Sequence, residues 1–307
     1  MAQSHGHHHH EQRRGQAANH YGRNFGVAIA LNFALVIAQV LYGLFANSLA
    51  LLADAGHNFG DVMGLVLAWG AFAIADWRPS SRFTYRLSAA SILSAFANSL
   101  ILLVATGAIV WEAVQRFSQP QPVSTNIVIA VAATAVAVNG VSAWLLKRGS
   151  KTDLNIRGAF LHMLADAGVS LAVIAAAFGI WLTGWQWLDP AASLLISAVI
   201  LWGTWGLMRD ALRLTLNAAP RGIDPAEVQR YLESLPEVAT IHDLHIWAMS
   251  TSQTALTCHL FTPGGHPGDA FLHRLAHELE EKFGIGHTTV QIELSDGPCA
   301  LEPEHAL

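Results

Sequence analysis

The sequence predicts a membrane α-helical bundle of six transmembrane helices followed by a small α+β domain. Three observations lead there. Six long apolar stretches, 25–46, 49–75, 88–113, 126–146, 158–182 and 189–208, follow one another with short polar joins. The chain is 52% hydrophobic and 13% charged, whereas a soluble domain carries roughly 25% charged residues. The charge also changes sign near Asp210: residues 1–210 hold 12 Lys/Arg against 9 Asp/Glu, and residues 211–307 hold 5 against 13. The expected divisions are a His-rich leader (1–22), a six-helix domain (23–212), an acidic domain (213–296) and a tail (297–307).

Crossing the hydrocarbon core as a helix takes about 20 mainly apolar residues, which each stretch approximately supplies. Gly and polar residues occur in all of them, as expected of helices packed through small side chains. Six such stretches so close together argue against a soluble α-helical domain. Orientation follows the basic residues. Arg13, Arg14 and Arg23 precede the first span, and Arg78, Arg82 and Arg86 separate the second from the third. Lys147, Arg148, Lys151 and Arg157 separate the fourth from the fifth, and Arg209 and Arg213 follow the sixth. The opposite joins hold only Arg116, so both termini are expected in the cytoplasm, with Trp185 and Trp187 at the outer interface. No cleavable signal peptide is visible, and the two cysteines, Cys258 and Cys299, form no disulfide framework.

An ionisable side chain at bilayer depth costs about 2.5–3.5 kcal/mol on insertion scales, so each one points to function. The second span reads Leu51-Leu-Ala-Asp54-Ala-Gly-His57-Asn-Phe-Gly-Asp61 and the fifth reads Ala159-Phe-Leu-His162-Met-Leu-Ala-Asp166. Each carries His-x-x-x-Asp, which places both side chains on one helical face, one turn apart. Two such helices facing each other present two imidazoles and two carboxylates, a complete tetrahedral set for zinc. His57, Asp61, His162 and Asp166 are therefore the candidate metal ligands. Asp54 shares their stripe and is read as accessory. Asn32, Gln39, Asn98 and Asn139 are read as interhelical hydrogen-bonding groups without a transport role.

After Pro220 the pattern changes. Asp224-Pro-Ala-Glu227 has the residues of a helix start, running to about Leu235. Strands follow at about 238–248 and 253–261, then an amphipathic helix at 268–283 with Phe271, Leu275 and Leu279 on one face, then a strand at about 287–294. This is an α-β-β-α-β order.

Ser48-Leu-Ala-Leu-Leu-Ala-Asp-Ala-Gly-His-Asn-Phe-Gly-Asp61 resembles the second span of the cation diffusion facilitator family, especially its bacterial zinc exporters. His242-Asp-Leu-His-Ile-Trp247 resembles the strand motif of that family's cytosolic domain. The resemblance runs from about Phe25 to Leu294. It implies a homodimer, one transport site per subunit between spans two and five, exchange of the cation for protons, and a ferredoxin-like cytosolic domain. The family's transport ligands fall on His57, Asp61, His162 and Asp166, and histidine at the first of these goes with zinc rather than manganese. Imidazole ligands suit zinc for the same reason, while cadmium, cobalt and nickel fit the same ligand types. Relatives bind regulatory cations at positions matching His242, His259 and Glu293, so zinc is expected both as transported substrate and as cytosolic regulator. His245, Cys258, His273, His277 and His287 are the further candidates nearby. Two departures stand out: Ser91, where many relatives carry an acidic residue, and Asn217 before Pro220, where many carry Glu.

The expected partners are thus a second copy of the chain, membrane lipid, divalent metal ions and protons, and no nucleic acid. The expected location is a bacterial inner membrane. The leader, with His5 and His7 to His10, reads equally as a metal-capturing segment or an expression tag. A membrane zinc hydrolase would need His-Glu-x-x-His or a nucleophile turn, and neither occurs. A pure metal sensor needs no ligands at bilayer depth. A passive channel needs weak sites from which the ion escapes.

Overall fold

The computed structural model describes residues 32–75, 81–147 and 154–295. The leader, the start of the first predicted span, the ends of two basic joins and the tail with Cys299 lie outside the described residues. Among the described residues, five long helices follow one shorter one: α1 (Asn32–Phe45), then α2 (Leu49–Ala75), α3 (Ala90–Ser118), α4 (Thr125–Leu146), α5 (Leu154–Thr183) and α6 (Leu188–Thr215). Four of these, α3 to α6, are long and apolar enough to cross a membrane. Helix α2 has the length, at 27 residues, but carries Asp54, His57, Asn58 and Asp61. The chain is an integral membrane protein, and its surface agrees. Trp202, Phe45, Trp144 and Trp111 point outward, Trp202 with 87% of its area exposed, a large apolar surface that suits lipid rather than water.

The described residues divide into two compact units, those up to 65 with those of 99–205, and those of 66–98 with those from 206 onward. The first unit is built on small residues. Ala46, Ala50, Ala53, Ala132 and Ala177 join Leu51, Val128, Val173, Ile196 and Ile200 in its core, drawn from α2, α4, α5 and α6 and the turn before α2. Alanines bring backbones close where lipid supplies no hydrophobic drive between helices. Gly60 shows how close: a Cβ there would stand 2.8 Å from Leu102 of α3.

One polar junction fixes an end of this unit. Asn47, in the turn between α1 and α2, takes a left-handed backbone (φ 55°), a conformation that Asn tolerates better than most residues. The amides that open α2 then meet Asp189 from the first turn of α6. Its carboxylate accepts hydrogen bonds from Ser48 Oγ (2.5 Å), Leu49 N (2.7 Å) and Ala50 N (3.3 Å). The first amides of a helix have no partner within it, and the macrodipole there favours an anion. Asp189 thus caps a helix that begins 140 residues earlier. Nearby, Arg116 Nη1 donates to Asn47 O at 2.7 Å and Val123 N donates to Gln186 Oε1 at 3.1 Å, tying the α3–α4 and α5–α6 joins into the same junction.

The second unit contains the C-terminal domain: α7 (Pro225–Glu233), β1 (Thr240–Ala248), β2 (Thr254–Phe261), α8 (Asp269–Phe283) and β3 (His287–Glu293). Asn217, left-handed at φ 59°, lies just past the end of α6. Asp224 caps α7 through Ala226 N, with Pro225 at the first position. Gly284, left-handed, closes α8. The sheet order is β1-β2-β3, with β1 antiparallel and β3 parallel to β2. Val228 and Leu232 of α7 and Phe271, Leu275 and Leu279 of α8 share one core with Ile246, Leu256, Cys258 and Leu260. Both helices therefore cover the same face of the sheet. In this unit Ser91 Oγ accepts a hydrogen bond from Thr251 N at 3.1 Å. Ser91 thus engages the β1–β2 hairpin through its hydroxyl.

Replacing Asp189 with Ala leaves the Ser48 hydroxyl and two α2 amides without their acceptor. The expected cost is about 2 kcal/mol, the upper range for a lost helix cap. Thermal unfolding in detergent measures it. A variant that melts with the native protein would show that this carboxylate does not hold the two helices together.

Candidate metal centres

The first centre forms where α2 faces α5. A step of four residues stacks His57 over Asp61 on α2 and His162 over Asp166 on α5. The two pairs alternate across the gap. His57 Nε2 lies 3.1 Å from Asp166 Oδ1 and 3.9 Å from Asp61 Oδ2. His162 Nε2 lies 3.4 Å from Asp61 Oδ2 and 3.7 Å from Asp166 Oδ2. Four donors about 2.1 Å from a tetrahedral ion stand about 3.4 Å from one another, and these four contacts are on that scale. Ligand atoms of His57, Asp61 and Asp166 fall within 4.8 Å of one another. His162 stands outside that set of three: its ring is nearly perpendicular to that of His57, 6.1 Å away, and it meets the set through the two carboxylates. Asp61 Oδ2 is buried and has no hydrogen-bond partner among the described residues, an orphaned acceptor where a cation would fit.

A second polar layer lies one turn along. Asp54 is fully buried, and its Oδ2 accepts from Gln39 Nε2 (2.7 Å) and Ser170 Oγ (2.9 Å). Gln39 Oε1 in turn accepts from Asn58 Nδ2 at 2.9 Å. The network joins α1, α2 and α5, and Ser170 sits one turn beyond Asp166. Sequence reading placed Asp54 on the stripe but gave Ser170 no role. Its signal is the step of four that continues His162, Asp166, Ser170 along one face. Gln39 makes the interhelical bonds expected of it. Asn139 does not: it is buried in α4, and neither amide atom has a hydrogen-bond partner among the described residues.

The second centre lies in the C-terminal domain. His242 of β1 pairs directly with His259 of β2, and Glu293 stands at the end of β3. Glu293 Oε2 lies 3.2 Å from His242 Nε2, and Oε1 lies 3.0 Å from His259 Nδ1. These three offer ligand atoms close enough to hold a metal ion. Within them, His242 Nε2 is buried and lacks a properly angled hydrogen bond, although Glu293 lies at ion-pair distance. That orphaned nitrogen, in a set of two imidazoles and a carboxylate, fits a divalent cation. Asp243 reaches His259 from the other side, 3.6 Å from its Nε2, and meets His245 Nε2 at 2.9 Å. The other candidates lie apart. His277 is exposed and 4.0 Å from Glu281, and His273 is exposed on the same helix. His287 stacks edge-on against Tyr85 at 5.6 Å. Cys258 is buried in the core.

These features define the class first: an integral membrane protein whose helical interior presents cation-ligating side chains. Residues 26–214 match the family described as the cation efflux transmembrane domain, and residues 220–295 match the cytoplasmic domain of cation efflux proteins. The chain belongs to the cation efflux family, whose members are divalent-cation transporters rather than enzymes. It is 38% identical over 275 residues to the zinc transporter ZitB of Shigella flexneri, covering 89% of this chain and 87% of the relative. It is 33% identical over 288 residues to the cadmium, cobalt and zinc/H(+)-K(+) antiporter of Bacillus velezensis, covering 91% and 92%. A solved metal-bound C-terminal domain of the CzcD transporter from Cupriavidus metallidurans is 38% identical. It covers 24% of this chain and 100% of its own, with a TM-score of 0.22.

Burial, and after it the charge of Asp243, pushes the Cys258 thiol up to about 12. At pH 8 it is therefore a buried, protonated thiol rather than a nucleophile. In a Cys299→Ser variant, a maleimide is expected to leave the native protein unlabelled and to react once the domain is unfolded. Labelling of the native protein at the rate of a free thiol would contradict this placement.

Proposed function

We propose that the protein exports zinc from the cytoplasm in exchange for protons, using His57, Asp61, His162 and Asp166 as the transport site. The observation that carries this reading is the alternating ring of two imidazoles and two carboxylates between α2 and α5, with three of the four close enough to share a cation and His162 3.4 Å from Asp61. The imidazole ligands favour zinc and similar cations over magnesium or manganese, which all-oxygen sites suit, and relatives bear names that include zinc, cadmium and cobalt. Exchange follows from ligand chemistry. A cation and protons compete for the same imidazole and carboxylate atoms, so loading on one side releases protons and protons on the other side displace the cation. Rocking of the helices about a fixed site presents it to each side in turn.

In the same reading the membrane domain spans residues 23–212 with six crossings, α1 and α2 being the first two. The basic joins place both termini in the cytoplasm of a bacterial inner membrane. Residues 213–296 form a ferredoxin-like domain, for which the α-β-β-α-β order and the β1-β2-β3 sheet are the support. This domain pairs two copies of the chain, as its family match suggests. It holds a regulatory cation at His242, His259 and Glu293. Asp54 is accessory: with Gln39 and Ser170 it orients the helices that carry the ligands.

The test is uptake of zinc-65 into proteoliposomes that carry an imposed pH gradient. Native protein is expected to show saturable, gradient-driven uptake, and Asp61→Ala and His162→Ala to fall to the level of empty liposomes. Uptake that survives both substitutions would remove the transport site assigned here. Uptake that is lost in both but ignores the gradient would retain the site and remove proton exchange.

A further inference from the structure

Strand β1 carries an irregularity that the ladder locates closely. His242 pairs with His259, and the next paired residue is His245, which faces Thr257. Three steps on β1 thus match two on β2, so Asp243 and Leu244 together oppose Cys258, the pattern of a β-bulge. The core shows the result. Ile241 and Leu244 both pack against the domain's core cluster, whereas alternation in a regular strand would turn them to opposite faces. Between them, His242 and Asp243 both turn to the other face. That face also carries His259, because Cys258 and Leu260 on either side of it are core residues, and Glu293, next to the core residue Ile292. Asp243 adopts a left-handed backbone, φ 52°, a conformation disfavoured for residues with a Cβ and met chiefly in Gly, Asn and Asp.

The bulge sets Asp243 between two histidines. Its Oδ1 lies 2.9 Å from His245 Nε2, and its Oδ2 lies 3.6 Å from His259 Nε2. His259 therefore lies between two carboxylates, with Glu293 Oε1 3.0 Å from Nδ1 on the side of His242. A neutral imidazole coordinates a cation through one nitrogen and carries its proton on the other. Metal-ligating histidines almost always donate that proton to a carboxylate, a carbonyl or water. The contact at 3.6 Å is longer than a hydrogen bond, so the pair is poised next to, rather than in, hydrogen-bonding range.

We propose that Asp243 is a positioning residue for the cytoplasmic cation site: it holds the proton of His259 on Nε2 and so leaves Nδ1 to coordinate the metal with His242 and Glu293. His245 fixes the Asp243 carboxylate from its outer side. The bulge and the left-handed backbone are what deliver this carboxylate to a face that regular alternation would deny it. The inference rests on the reading of His242, His259 and Glu293 as a cation site, and its test separates the two.

The experiment uses the full chain in detergent with Asp61→Ala and Asp166→Ala, which silence the membrane ligand set. Zinc affinity is read by competition with a chromophoric chelator, and the coordination shell by the visible absorption of bound cobalt(II). His259→Ala and Glu293→Ala are expected to abolish binding. Asp243→Gly keeps the left-handed backbone and removes the acceptor. It is expected to weaken zinc by about 10–100-fold, the usual effect of losing a partner of a ligating histidine, and to alter the cobalt spectrum. Asp243→Asn keeps an acceptor oxygen and is expected to recover most of the loss.

Asp243→Gly binding like its parent would overturn the inference while leaving the site intact. Two zinc ions per parent chain falling to one in Asp243→Gly would make Asp243 a ligand of a second cation instead, which also overturns it. Unchanged binding in His259→Ala and Glu293→Ala would remove the site itself, and the role of Asp243 with it. A readout that needs no Asp243 variant is nitrogen-15 NMR of the zinc-loaded parent, with His259 assigned by difference against His259→Gln. Metal on Nδ1 and the proton on Nε2 support the proposal. The reverse tautomer contradicts it.

Discussion

Carboxylates inside a membrane bundle must each be answered, and this one constraint organises the first unit. A bare charge at bilayer depth costs about 2.5–3.5 kcal/mol even on lenient scales, comparable to a large fraction of a protein's net stability. Asp54, Asp61, Asp166 and Asp189 are answered in different ways. Asp54 is met by neutral donors from two other helices, Gln39 and Ser170. Asp189 is met by the amides at the head of α2 and by Ser48. Asp61 and Asp166 are met by the imidazoles of the partnering helix. The Asp189 set is closed by hydrogen bonds, whereas Asp54 keeps one satisfied oxygen, Oδ2, and leaves Oδ1 without a partner among the described residues. The third also leaves Asp61 Oδ2 without one, but there two imidazoles stand beside the acceptor, and in the proposed reading a divalent cation completes it.

That difference connects packing to transport. Asp189 fixes the head of α2, and the Asp54 network joins α2 to α5 one turn from the ligands. Small residues, Gly60 among them, let the neighbouring helices come close enough for short side chains to meet. In the proposed reading, a ligand set held this way is shaped for its ion before the ion arrives, and its charge is balanced only when a cation or protons occupy it. Alternation between those two states is the chemical content of an exchanger.

The sequence made parts of this plain because helix pitch leaves little choice. His57 with Asp61 and His162 with Asp166 had to stack, and charges at depth had to turn inward. What spacing alone did not contain is the rotation of α2 against α5, which decides that His57 meets Asp166 and His162 meets Asp61. Asp189 was illegible for a different reason. An Asp-Pro pair at a helix start reads as a cap for its own helix, whereas its partners lie 140 residues upstream. Helix ends also outran the apolar stretches. Helix α3 runs to Ser118 rather than 113, past a Glu112–Arg116 pair one turn apart, and α5 begins at Leu154 rather than 158. In the C-terminal domain the element order was readable from periodicity. The bulge at Asp243 was not, because register is a property of two strands and His242-Asp-Leu-His alone fits an unbroken one.

The central claim is that two helices contribute four side chains to a single cation shell. Zinc K-edge X-ray absorption of the full chain, with His242→Ala and His259→Ala removing the cytoplasmic set, tests it most directly. The account predicts one zinc with four nitrogen or oxygen neighbours at about 2.0–2.1 Å, two of them imidazoles, and one imidazole fewer in His162→Ala. A spectrum unchanged by His162→Ala would place the metal elsewhere and contradict the account.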